Sequence, residues 1–154
     1  MITRPLILTL LSSLIAIPAH AGITGKARVI DGDTIHISSE RIRLHGIDAP
    51  EMKQTCTADG KEWACGKEAF LALSKAIGGS WITCKGTERD KYKRLVAVCY
   101  LRNHDLNAMM VREGWALAYR RFSTDYVDEE AVAKEGKAGM WRGVFTPPWE
   151  WRRK

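Results

Sequence analysis

The chain has 154 residues, 45% of them hydrophobic and 27% charged. That length allows one domain with a sizeable core but not two, and the composition excludes a disordered chain or one embedded throughout in a membrane. A formal net charge of +6 favours a polyanionic partner, nucleic acid or acidic polysaccharide, without requiring one.

Residues 1–21 read as an export signal. Arg4 precedes an apolar run from Pro5 to Ile17, and Ala19-His20-Ala21 gives the small-x-small pattern of a cleavage site. The run is short for a bilayer span; a buried first helix is the other reading. Cleavage after Ala21 removes Arg4 and no acid, leaving residues 22–154 as one domain of net charge +5. Such a product would be secreted or periplasmic.

Three short strands open the remainder. Lys26 to Ile30 is the first, Asp31-Gly32-Asp33 a tight turn, and Thr34 to Ile37 the second, with β-branched alternation. A third begins at Arg41 and reaches Ile47 before Pro50 ends regular structure. Residues 51–62 are polar and read as a loop. From Glu62 to Ile77 the period changes: Ala69, Leu73 and Ile77 recur four apart, as on one helix face, until Gly78-Gly79. Strands follow at Trp81–Lys85 and Arg94–Leu101, then a short helix over Leu106–Arg112 capped by Asp105. Ser123-Thr124-Asp125 would cap and start another helix, running to about Lys134 or Ala138. Three strands, a helix, two strands and further helices is the order of a five-stranded barrel of the OB type with about three helices.

All four cysteines lie after the export signal. Four allow three pairings. A hairpin centred near Lys91 would set Cys84 opposite Cys99, leaving Cys56 and Cys65 to close a loop. Disulfides agree with export. Free thiols are an alternative, and a zinc site would want closer Cys spacing than either pair has.

Asp31, Asp33, Asp48 and Glu51 form the most informative cluster. Carboxylates are costly to crowd unless a cation or a proton shares them, and oxygen ligands suit Ca²⁺ or Mg²⁺ better than zinc. The bland account is an Asp-Gly turn and an ordinary strand exit. Arg43 and Arg94 change the balance, because a guanidinium fork pairs with phosphate oxygens. A metal, cationic groups and a carboxylate to handle water are what phosphodiester hydrolysis needs.

The runs Val29-Ile30-Asp31-Gly32-Asp33-Thr34, Arg43-Leu44-His45-Gly46-Ile47-Asp48-Ala49-Pro50-Glu51 and Asp90-Lys91-Tyr92-Lys93-Arg94 resemble the staphylococcal nuclease (thermonuclease) family. Asn107 to Ala116 and Gly139-Met140-Trp141 add to the match, which covers roughly residues 25–145. The resemblance implies an OB barrel and Ca²⁺-dependent cleavage of DNA and RNA that leaves 3′-phosphates. It implies Asp33, Asp48 and the backbone carbonyl of Ala49 as calcium ligands, with Asp31 supporting them. It further implies Glu51 as the group that activates or orients water, and Arg43 and Arg94 as phosphate-binding arginines. Tyr119 resembles a tyrosine of the nucleotide pocket. Lys93 stands where the family usually has Gly, which matters if that turn needs a positive φ.

His36, His45 and His104 have no pairing that suggests zinc or a nucleophile-activating triad. Trp63, Trp81, Trp115 and Trp141 read as core or core edge. Trp149 and Trp151 precede Arg152-Arg153-Lys154, so the tail either stacks on bases beside phosphates or straps the barrel. The leading expectation is a monomeric, calcium-dependent nuclease. The alternative is a catalytically weak OB module that binds nucleic acid or an acidic polysaccharide in the cell envelope.

Overall fold

The computed structural model describes residues 22–153, so the export-signal reading falls outside the described residues. The first strands follow the β-branched alternation: β1 (Gly22–Val29), β2 (Thr34–Ile37) and β3 (Glu40–Leu44). β1 starts earlier than Lys26 because Gly22 to Lys26 pair with a strand from much later in the chain. The expected third strand is divided. Gly46, at φ 70°, turns the chain, and Ile47–Asp48 (β4) leaves the barrel sheet.

The segment expected to be loop contains a small hairpin, β5 (Cys56–Ala58) and β6 (Lys61–Trp63), turning at Asp59-Gly60. That hairpin claims Glu62, so α1 begins only at Cys65 and runs to Ile77. Ala69, Leu73 and Ile77 are buried on one face, and Gly78 ends the helix in the left-handed conformation. β7 (Trp81–Arg89) extends beyond Lys85 through a bulge between Lys85 and Glu88. β8 (Leu95–Leu101) and β9 (His104–Asp105) follow. Asp105 accepts the Ala108 N–H and so caps α2 (Leu106–Arg112).

β10 (Leu117–Ala118) pairs antiparallel with β4. α3 (Val127–Glu135) starts later than Ser123-Thr124-Asp125 suggested. The Ser123 hydroxyl accepts the N–H of Asp125, which makes a local turn rather than a helix cap. A 3₁₀ turn (Gly139–Arg142) and the short α4 (Pro148–Trp151) complete the chain. Among the described residues no helix is long and apolar enough to cross a membrane.

β3, β2, β1, β7 and β8 lie in that order, antiparallel. β3 then closes on β8 as a parallel pair, with Ile42 opposite Leu95 and Leu44 opposite Ala97. The result is the five-stranded OB barrel with helices that the element order predicts, and closure removes the exposed strand edges. Its interior holds Ile35, Ile42, Leu44, Ile82 and Ala97, covered by α1 and α2. A second cluster of Cys56, Cys65, Leu117 and Met140 is flanked by Trp63, Trp141, Phe145 and Trp149. Trp81 lies outside both: at the end of its strand it is 64% exposed. Disulfides join Cys56 to Cys65 and Cys84 to Cys99. The latter bridges directly opposed residues of β7 and β8; the former ties the β5–β6 hairpin to the start of α1.

Candidate active site

Each acidic residue of the cluster is delivered by backbone geometry. In the turn after β1, the N–H groups of Ile30 and Asp31 donate to the Thr34 carbonyl, and the Asp33 N–H donates to Asp31 Oδ1. This presses Asp33 inward at the foot of β2. Its Oδ1 accepts from the Thr34 hydroxyl at 3.2 Å, and its Oδ2 accepts the Ala49 N–H at 2.7 Å. A side-chain bond therefore joins the first acidic motif to the second. Gly32 allows the approach: a Cβ there would lie 2.6 Å from Ala49 Cβ and 3.0 Å from Ala69 Cβ. Asp48 is fully buried on β4, opposite Leu117.

Arg43, opposite Thr34 in the β2–β3 ladder, spans the two acids. Nη1 is 2.8 Å from Asp33 Oδ2, and Nη2 is 2.9 Å from Asp48 Oδ1. One guanidinium thus sits between two buried carboxylates. Burial, then the charge of Asp33, pushes the Asp31 carboxyl up to about 6. Burial also holds Asp48 above the usual carboxylate range, against the opposing pull of Arg152 and Arg43.

Glu51 ends the same segment, half-exposed at the mouth. Its N–H donates to Gln54 Oε1, and its carbonyl accepts the Gln54 N–H at 2.7 Å. Arg94 arrives from the turn before β8. Its Nε donates to Asp90 Oδ2 at 2.7 Å, and its Nη1 reaches the Thr34 hydroxyl at 3.3 Å. Lys93, just before it, has φ 64°, the left-handed conformation in which a Gly would be relaxed. Tyr119 is anchored through its N–H to the Gly46 carbonyl and stacks on Trp149, with ring centroids 5.5 Å apart and planes 5° from parallel.

The structure brings Asp31, Asp33, Arg43, Asp48, Ala49, Glu51 and Arg94 into one connected cluster. Sequence reasoning missed a further member. Arg152, just past α4, bonds both oxygens of Asp48, Nη1 to Oδ1 at 3.1 Å and Nη2 to Oδ2 at 2.7 Å, and its Nη1 also reaches Glu51 Oε1 at 2.8 Å. Burial opposes its charge, yet the bonds to Asp48 and Glu51 hold its pKa above the ordinary arginine value. No spacing rule links residue 152 to residues 48 and 51. The Trp-Glu-Trp-Arg run was the available signal, and it marked the tail without revealing its destination.

Among the described residues no three His, Cys, Asp or Glu side chains gather as a metal-holding group. The donors nonetheless fit a hard cation. Asp33 and Asp48 are buried oxygen donors close enough to share one positive group, here the Arg43 guanidinium.

The chain is thus a closed OB barrel with paired acids and arginines at one mouth. Residues 41–143 match the family model described as staphylococcal nuclease homologue, and the chain belongs to that family. It is 39% identical over 127 residues to a succinoglycan biosynthesis protein of Rhizobium meliloti, covering 78% of this chain and 65% of that protein. It is 34% identical over 143 residues to an uncharacterized endonuclease of Escherichia coli, covering 87% and 88% of the two chains. With a micrococcal nuclease of Shigella flexneri it shares 31% over 159 residues, covering 91% and 86%. The chain thus spans just under two thirds of the Rhizobium protein and most of the other two.

Proposed function

We propose that the protein is a calcium-dependent nuclease that hydrolyses DNA and RNA to 3′-phosphate products. On this reading residues 1–21 are a signal peptide, and residues 22–154 act as a monomer in the periplasm or outside the cell. The observation that carries the proposal is the connection of Asp33, Arg43, Asp48, Glu51 and Arg94 at one mouth, by way of Thr34 and Arg152. Arg43 joins Asp33 to Asp48, Arg94 reaches Thr34 beside Asp33, and one nitrogen of Arg152 touches both Asp48 and Glu51.

Asp33, Asp48 and the Ala49 carbonyl would hold Ca²⁺, supported by Asp31; when bound, the ion polarises the phosphoryl group as a Lewis acid. Glu51 takes a proton from water, or orients it, as the water oxygen bonds to phosphorus and the P–O5′ bond breaks. Arg43 and Arg94 neutralise charge on the remaining phosphate oxygens; the departing 5′ oxygen takes a proton from solvent water, and Glu51 returns the one it took to solvent. Tyr119 would lie against a base. Phosphate contacts dominate such an interface, so sequence preference is weak.

One feature favours a second reading, the catalytically weak OB module binding nucleic acid or an acidic polysaccharide. Asp33 and Asp48 are already ion-paired with arginines, and Glu51 pairs with Arg152. Cleavage of heat-denatured DNA by the oxidised protein, with Ca²⁺ and with excess chelator, separates the two. Glu51→Gln is expected to lower turnover by about 10²–10⁴-fold with the fold retained. Cleavage indifferent to chelator or to this substitution would overturn the nuclease mechanism.

A further inference from the structure

The segment 144–152 runs from β5 into the site. Its path is fixed in two places before it arrives. Val144 exchanges backbone hydrogen bonds with Thr57 on β5, at 2.7 and 2.9 Å. The fully buried Gln54 then donates through Nε2 to the Thr146 carbonyl at 2.7 Å. The same Gln54 accepts the N–H of Glu51, so the segment bearing Glu51 and the root of the tail share one anchor. Beyond that root come Pro147, the four-residue α4 that Pro148 begins, and Arg152.

Pro148 is buried and Trp149 packs against the second apolar cluster, but two further contacts of this last piece are ones a ligand could replace. Trp149 covers one face of the Tyr119 ring in a parallel stack, the geometry by which an aromatic ring receives a base. Arg152 satisfies both oxygens of Asp48 and one of Glu51. A carboxylate that accepts a bidentate guanidinium has fewer lone pairs for a metal. We propose that Arg152 is an internal counter-cation that competes with a divalent ion for Asp48, and that ion binding releases the α4 tail and uncovers Tyr119. The inference rests on the ion-dependent reading above.

Linkage makes the competition reciprocal. If Arg152 weakens ion binding by some factor, the ion weakens tail docking by the same factor. Two measurements therefore test it, neither of them activity. Ca²⁺ is titrated calorimetrically into the oxidised protein beginning at Gly22, and into its Arg152→Gln and Arg153→Ala variants. Arg152→Gln is expected to bind Ca²⁺ about fivefold or more tightly, at least the lower end of usual coupling between sites. Arg153→Ala, altering the neighbouring exposed arginine, stays within about twofold of the parent on the same scale. In the parent, Ca²⁺ should hasten hydrogen exchange at the amides of Glu150, Trp151 and Arg152, which bond back to Pro147 and Pro148.

Equal or weaker affinity in Arg152→Gln, or tail amides slowed by Ca²⁺, overturns the competition while leaving the nuclease reading intact. Absence of Ca²⁺ binding by all three proteins overturns the ion-dependent reading and the competition with it. If Arg152→Gln proves unfolded by circular dichroism, the exchange measurement on the parent decides.

Discussion

The Asp90 carboxylate grips Arg94 at two points, and Tyr92 at a third, at the tip of the β7–β8 hairpin. Its Oδ1 accepts the Arg94 N–H at 3.0 Å and the Tyr92 N–H at 2.9 Å, and its Oδ2 accepts Arg94 Nε at 2.7 Å. A guanidinium so clasped is presented with one edge occupied and the other turned toward Thr34. Asp90 is therefore a positioning residue for Arg94. Asp90→Asn keeps the shape and removes the charge, and it should lower kcat severalfold with the circular dichroism spectrum unchanged.

The same clasp sets a pH dependence. Burial acts against the Asp90 charge, but the Arg94 hydrogen bonds and charge prevail and hold the carboxyl below its usual 3.8. A depressed carboxylate stabilises the fold above its unfolded value, and that contribution is lost as pH falls through the folded value. The stability difference between the parent and Asp90→Asn, about 1 kcal/mol at neutral pH, should therefore shrink in acid as pH falls through the folded-state value, which lies below 3.8. Denaturant titrations at several pH values would expose a constant gap, which this account does not allow.

Lys93 carries the strain of that turn. A non-glycine residue at φ 64° costs about 1–2 kcal/mol over a relaxed one, offset in part because glycine frees the unfolded chain. Lys93→Gly should gain about 0.5–1 kcal/mol, whereas Lys93→Val, with its branched Cβ, should lose at least as much. Chemical denaturation midpoints of the two variants will move in opposite directions if the strain is real. The departure from the family pattern is tolerated because the Lys93 N–H still bonds the Asp90 carbonyl and its own carbonyl accepts Arg89 Nη1.

The barrel was legible because its strands alternate and its helix recurs every three or four residues, both local patterns. Asp105 as a cap was legible for the same reason. What escaped are effects of distant partners. Nothing near Ile47-Asp48 announces that these residues leave the third strand; they do so because Leu117-Ala118 offers another edge. The Cys56–Trp63 stretch looked like loop because its polar residues face outward, while its hairpin is held by a bridge to Val144 and by a disulfide to α1. Arg43, Asp48 and Glu51 were legible as candidates through the motif, but Arg152, about a hundred residues away, was not.

The two disulfides differ in what they protect. Cys84–Cys99 closes a separation of 15 residues within the barrel, both members fully buried. Replacing both by Ala should cost about 3 kcal/mol from loop closure alone. Cys56–Cys65 secures the hairpin that receives the tail through Val144. Its removal should loosen the tail more than the barrel, so hydrogen exchange will rise at residues 144–152 before it rises in β7 and β8. Uniform loss of protection in that variant would refute this division of labour.

Gly66 is the position where a single methyl group should do the most harm to the site. A Cβ there would lie 1.7 Å from the Glu51 carbonyl oxygen and 2.6 Å from its carbon. Both obstacles are backbone, and neither can swing aside. The requirement is for space, since the residue takes an ordinary place in the first turn of α1, where its N–H donates to the Gln54 carbonyl. Gly66→Ala must therefore push α1 from the 51–54 turn, shifting Glu51 and loosening the Gln54 bonds that hold both Glu51 and the tail. Overpacking of this kind costs about 1–3 kcal/mol, and a displacement of about 1 Å at a reacting group can cost about 100-fold in rate. The expected result is a folded protein of lower melting temperature whose kcat falls much further than its stability would explain. The control is Gly60→Ala, which changes a glycine with nothing within 4 Å of its added Cβ. It should lose only the cost of its left-handed φ, about 1–2 kcal/mol, and keep its turnover. Equal turnover in the two variants would mean that the contact between α1 and Glu51 does not position the carboxylate.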